Sequence, residues 1–265
     1  MKLWYQSLSH RAETNPYGIV LEKILDSLAA AGTSIHMQGV HGSAGIGQHY
    51  RLLEHHDTRE VIDNAIRAQQ QGYDAFLIGN ISDAGVREAR EQVEIPVLGM
   101  GETCMHLACM MGASFGMVAI SERWVPRLVE NVRRYGLERQ LAGIESMRTS
   151  PVDLKKGLTD LGHRADLLDQ FTSAASRLLE RGAEVVIPAG GEVVVFTLEA
   201  GMFRIEDAPV VNGIVELVKM GEMAASVYRL TGRFTSKRGA YATPSGEFLA
   251  RVRGFYGSQA YPGAE

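Results

Sequence analysis

Cysteine is nearly missing from this 265-residue chain: there are two, Cys104 and Cys109. Placed close together on one expected helix, they suit neither a disulfide framework nor a zinc site. No stretch of about eighteen apolar residues occurs, which excludes a transmembrane helix. Neither sign of charge dominates. With 27 basic and 31 acidic residues the formal net charge is −4, so there is no basic face for nucleic acid and no acidic tail. The opening Met1–Ser7 lacks a signal-peptide pattern and begins as a strand. The expectation is a cytoplasmic protein that handles a small molecule, with no nucleic-acid or membrane partner.

What is present is an α/β pattern organised around one stretch. Ala75–Ile78 is an apolar run between Gly72 and Gly79, with the length and β-propensity of a buried strand. Gly79–Gly85 then turns into the amphipathic Val86–Val93, with Ser82 or Asp83 placed to cap its first amides. Ligands in open α/β sheets sit at the carboxyl ends of strands, so Asn80, Ile81 and Ser82 are expected to face a site. The same pattern recurs at Ala183–Glu192, which follows Arg181-Gly182 as the first follows Gln71-Gly72. Counted from the acidic residues Asp74 and Glu184, Asn80 falls opposite Gly190. Downstream, Ile95-Pro96-Val97-Leu98-Gly99 is echoed by Ala208-Pro209-Val210-Val211-Asn212.

In order, the periodicities predict strands at Leu3–Ser7, Ser34–Val40, Pro96–Met100, Phe115–Ile120, Gly143–Met147 and Pro209–Asn212. Helices are expected at Ile19–Ala31, Thr58–Gln71 with Thr58 as cap, Glu102–Met111, Glu122–Tyr135 stopped at Gly136, and Ile214–Leu230. Leu154–Arg181 holds one or two more, broken near Gly162-His163. His41–Asp57 has no period and reads as a long loop. The tail Thr231–Glu265 is expected to pack back over the first lobe. Strands alternating with helices mean parallel sheets with right-handed crossovers. The expected architecture is two pseudo-symmetric flavodoxin-like α/β lobes with a cleft between them. Residues 1–112 plus 214–265 form the first lobe and 113–213 the second.

These features together resemble the aspartate/glutamate/hydantoin racemase superfamily, nearest its hydantoin-racemase branch. Asp74–Asn80, Asp83-Ala84-Gly85, Ile95–Glu102, Gly182–Gly191, Pro209–Gly213 and Thr235-Ser236-Lys237 carry the resemblance. It implies two flavodoxin-like lobes, a homo-oligomer, and catalysis without metal or organic cofactor. It also implies one cysteine at each of two strand ends, one removing and one returning a proton on opposite faces of a carbon. Here those positions hold Asn80 and Gly190. Neither side chain has a usable proton equilibrium, so the two-thiol mechanism is excluded at these positions.

Other residues must then do the work. Asn80 beside the amides of Ile81, Ser82 and Asp83 suits an oxyanion pocket, or else tolerates a left-handed turn. Gly190-Gly191 permits close approach to a ligand, or makes a tight turn. Glu192 is a general base if burial raises its pKa, or a charge favoured at a helix N-terminus. Asp83 and His41 are the other candidate bases, with His41 and His49 on a loop over the cleft. His36, His55 and His56 fit no compact ligand motif, so no metal site is assigned, and surface packing explains the histidines as well. Gln6 and Ser7 end the first strand, where the resemblance implies substrate contact. Ser121 and Glu122 cap the next helix or touch substrate. Glu102 is capping or structural, and Arg233, Lys237 and Arg238 reach a substrate carboxylate or are solvated. The expected function is cofactor-independent acid/base chemistry on a carboxylate-, imide- or hydantoin-like metabolite. A hydrolase or lyase using Glu192, Asp83 or His41, with or without a metal, and a silent ligand-binding protein are the alternatives.

Overall fold

The computed structural model describes residues 1–42 and 50–264. The chain runs β1 (Lys2–His10), α1 (Pro16–Leu28), β2 (Ser34–Val40), α2 (Arg51–Gln70), β3 (Ala75–Ile78), α3 (Val86–Gln92), β4 (Val97–Gly99) and α4 (Met100–Met111). It continues with β5 (Phe115–Ala119), a 3₁₀ turn at Glu122–Trp124, α5 (Val125–Tyr135), β6 (Leu141–Ser146), α6 (Pro151–Gly157), α7 (Leu161–Glu180) and β7 (Val185–Ala189). Then come α8 (Gly191–Glu199), β8 (Arg204–Ile205), β9 (Ala208–Pro209), α9 (Ile214–Thr231) and α10 (Gly246–Tyr256). β3, β5 and β7 are buried along their whole length, as parallel strands covered on both faces must be.

The duplication seen in the sequence is a duplication of strand order. One parallel sheet runs β2-β1-β3-β4 and the other β6-β5-β7. Val210 adds a parallel bridge beside Val186, in the place β4 occupies beside β3. The expected strand Pro209–Asn212 shrinks to that bridge and the short antiparallel β8–β9 pair. Pro188 supplies the reason. Val186 turns its carbonyl to the Val211 amide at 2.9 Å. Pro188, two residues on, faces the same side without an N–H to donate.

Alternation along the first sheet divides its packing. Trp4, Phe76 and Ile78 join Val61, Ala65, Val86 and Ala89 of α2 and α3 on one face. Leu3, Tyr5 and Leu77 face the other way, into a cluster that continues without a break through Met117, Val185 and Ile187 of the second sheet. That shared core holds the two sheets together. Burial of this kind contributes roughly 1.5–3 kcal/mol for each large side chain.

Two expectations give way. α2 begins at Arg51, so Arg51–Asp57 is helix rather than loop, and Thr58 is no cap: its hydroxyl donates to the Glu54 carbonyl at 2.7 Å. Polar Asp57 and Asn64 occupy the buried face of α2, which hides its period, and Tyr50 at its N-cap makes no side-chain bond. The break between α6 and α7 falls just before Gly162-His163, where Asp160 accepts from the His163 amide at 3.1 Å. The tail does lie on the first sheet's helices. Lys237 donates to the carbonyls of Arg90 and Glu91 at 2.7 and 2.9 Å, and Arg233 pairs with Glu94 at 2.7 Å.

Candidate functional site

β3 and β7 end at Ile78 and Ala189, and the chain that follows each strand meets the other across one crevice. Asn80 and Ile81 line it from the first lobe, and Gly190, Gly191 and Glu192 from the second. Ile120 and Trp124 after β5, with Pro151 and Leu154 of α6, close the remaining wall. The cavity measures about 40 Å³. That is room for a water or two.

Asn80 is shaped by its own turn. Its Oδ1 accepts from the Ser82 amide at 2.9 Å, an Asx turn, which leaves the Nδ2 donors without a protein partner among the described residues. The left-handed residue is Asp83 instead, at φ 56°. α5 grips this turn from the other lobe: Asn131 Nδ2 donates to the carbonyls of Ile81 and Ser82 at 3.1 and 3.0 Å. The tip therefore has a fixed position relative to the second sheet.

Asp83 is not free to act as the base. It is 3% exposed, and its carboxylate accepts from the Gly101 amide at 2.8 Å, the Glu102 amide at 2.7 Å and the Tyr135 hydroxyl at 2.6 Å. It caps α4, two elements on, rather than α3, whose N-cap is Gly85 without a side-chain bond. Burial pushes the Asp83 carboxyl up to about 7, against the lowering effect of those three bonds. Gly99 and Gly101 are needed here, since a Cβ on either would approach the Asp83 carboxylate to 2.3 and 2.7 Å. Glu102, beyond the cap, pairs with Arg90 at 3.1 Å, a structural role.

Glu192 opens the first turn of α8 and is half-buried at the crevice. It is a helix N-terminal charge, and it faces the cavity. Burial raises its carboxyl above the usual range, offset in part by its own backbone amide and by Lys155. Gly190 has extended backbone at φ −173°, so conformation does not demand glycine there. Space does: a Cβ would lie 2.2 Å from Cγ2 of Ile120.

The remaining candidates are elsewhere. Gln6 is wholly buried, donating to the Gln38 carbonyl at 3.1 Å and accepting from Asn64 at 2.9 Å, so its polar atoms serve the core. Ser7 is 2% exposed and accepts from the Ser9 amide at 3.1 Å. Ser121 makes no side-chain cap; its neighbours Ile120 and Trp124 reach the crevice and it does not. His41 stands at the exposed end of β2 with its ring 3.1 Å from Glu13, apart from Asn80 and Glu192. His49 lies outside the described residues, and among those described no three His, Cys, Asp or Glu residues group to hold a metal. Cys104 is buried in α4 and Cys109 lies further along it. Arg233 and Lys237 serve the tail, as above. Ile120 was legible from the strand-end rule applied to β5, whereas nothing in the local sequence marks Pro151 and Leu154.

Two parallel sheets of one strand order, with their tips turned to a common crevice, define a two-lobed α/β protein of the racemase type. The chain belongs to the Asp/Glu/Hydantoin racemase family, whose model matches residues 21–221. It is 28% identical over 222 residues to a hydantoin racemase of Pseudomonas sp. (strain NS671), covering 81% of each chain. A hydantoin racemase of Rhizobium meliloti is 28% identical over 185 residues, 67% of this chain and 69% of that one. In three dimensions it resembles the allantoin racemase of Klebsiella pneumoniae with a TM-score of 0.77 at 24% identity, covering 94% of this chain and 97% of that one. The chain is thus a racemase-superfamily enzyme.

Proposed function

We propose that the chain performs cofactor-independent proton chemistry on a small carboxylate-, imide- or hydantoin-like metabolite, with Glu192 as general base in place of paired thiols. The observation that carries this is the meeting of Asn80 with Gly190, Gly191 and Glu192 at one crevice, where Glu192 has its carboxyl raised toward neutrality by burial. The chemistry follows. The Glu192 carboxylate takes a proton from the carbon next to a substrate carbonyl, and the C–H electron pair moves to the carbonyl oxygen. A donor at the strand tips, Asn80 Nδ2, then meets the developing charge. Return of the proton restores the neutral substrate. Relatives named as hydantoin racemases support the substrate class.

A base on one face predicts exchange of the proton with solvent, and inversion only where a donor reaches the opposite face. The test follows the C5 proton of a 5-substituted hydantoin in D2O by NMR, with optical rotation read in parallel. Glu192→Gln is expected to slow exchange by roughly 10²–10⁴-fold. A variant that exchanges at the wild-type rate overturns the assignment of the base.

A further inference from the structure

Glycine stands next to Asn80 on one tip and next to Glu192 on the other, and each faces a tyrosine. A Cβ on Gly79 would lie 2.2 Å from Cζ and 2.3 Å from the hydroxyl oxygen of Tyr5. A Cβ on Gly191 would lie 3.0 Å from the hydroxyl oxygen of Tyr17. Beside Asn80, and again beside Glu192, the chain forgoes a side chain and a phenol fills the space. Both phenols come from the first lobe, Tyr5 on β1 and Tyr17 on α1, and α1 packs against α8. Tyr5 is 0% exposed, and its hydroxyl has no hydrogen-bond partner among the described residues. Tyr17 is 9% exposed, and no described group bonds its hydroxyl. A buried hydroxyl without a partner is rare enough to call for an explanation. Tyr5 is such a case, pressed against the glycine of one strand tip, and the Tyr17 hydroxyl stands against the glycine of the other.

We propose that the Tyr5 and Tyr17 hydroxyls form a donor pair that receives the carbonyl oxygen of a cyclic imide or hydantoin ring entering between the strand tips. This rests on the acid/base reading of the crevice and adds two donors to Asn80 for the oxygen. Both hydroxyls stand behind the tips rather than among the residues that line the crevice, so a ring would reach them only where α1 parts from α8. Burial holds both phenols well above their ordinary range, with Glu192 adding to the effect on Tyr17 and Tyr17 and Cys104 adding to that on Tyr5. They therefore stay protonated at neutral pH and act as donors, not as acids. The balance is complete without them: the proton leaves carbon for Glu192 and the electron pair moves to oxygen. The two O–H groups bond to that oxygen without giving up their hydrogens.

The experiment uses the full chain and hydantoin as probe. Binding is measured by calorimetry, and C5 proton exchange in D2O by NMR, for wild type, Tyr5→Phe, Tyr17→Phe and the double variant. Phenylalanine keeps both rings, and an unchanged melting curve shows that each variant folds. Each single variant is expected to weaken hydantoin binding about three- to tenfold, the worth of one neutral hydrogen bond, and the double variant more. A double variant that binds within twofold of wild type overturns the donor pair, even if exchange continues and the acid/base reading stands. Binding that falls as expected with no exchange in the wild type upholds the donor pair and refutes the acid/base reading. No binding of hydantoin to the wild type overturns both.

Discussion

Restoring a side chain at Gly190 is the sharpest perturbation of the crevice. Carbon atoms at optimal separation are about 3.5–4.0 Å apart, and a Cβ at position 190 would stand 2.2 Å from Ile120 Cγ2. The φ of −173° suits any residue, so the clash alone sets the cost of Gly190→Ala. Cγ2 is bonded directly to a β-branched Cβ that is stiff at χ1, and Ile120 is 6% exposed, so relief requires a wall of the crevice to shift. Overpacking of this kind costs about 1–3 kcal/mol. Ile120→Ala alone leaves a void and costs roughly 2–5 kcal/mol. The two together are expected to cost less than their sum by about 0.5–3 kcal/mol, because the new methyl enters the space that the isoleucine vacates. Urea unfolding of the four proteins, with midpoints and slopes compared, closes the cycle. A Gly190→Ala variant as stable as wild type, or an additive pair, would refute the steric account. The same reasoning bears on any attempt to install thiols: Asn80→Cys with Gly190→Cys requires a smaller residue at 120.

Three further outcomes follow from the same geometry. Tyr135→Phe removes the 2.6 Å bond to Asp83 that links α5 to the first lobe, and it should cost about 1.5–3 kcal/mol where Asp83 is charged, read as a lower denaturation midpoint. Asp83 has its folded pKa raised to about 7 from 3.8, so its stabilising contribution is full below the unfolded value and is lost as pH rises through 7. Melting temperature should therefore fall across that window, and a flat profile in the wild type would count against a buried, protonated Asp83. Glu192 is raised in the same direction by burial, so Glu192→Gln should gain stability over wild type at neutral pH while losing activity. A variant less stable at pH 7 would show that the charged form is better solvated than its burial implies.

The local sequence determined what local physics governs. Ala75–Ile78 and Val185–Ala189 are apolar runs too short for helices and bounded by glycine, so their identity as buried strands was legible, and with it the duplication. Stop signals such as Gly136, left-handed at φ 72°, marked helix ends for the same reason. The placement of Asn80 opposite Gly190 also followed from counting, because both strands carry the same number of residues from their acidic starts. The start of α2 stayed hidden because Asp57 and Asn64 put polar atoms on its buried face. What only the tertiary structure decided is which polar groups have spare valence. Asp83, Gln6 and Glu192 look equally available in one dimension. Amides from α4 and the Tyr135 hydroxyl consume the lone pairs of Asp83, and Asn64 consumes those of Gln6. The hydrogen bonding that lowers the Glu192 carboxyl comes only from its own backbone amide, and the residue faces the crevice. Partners of that kind come from residues 18 to 58 positions away, a distance at which side-chain spacing carries no signal and only the packed fold decides.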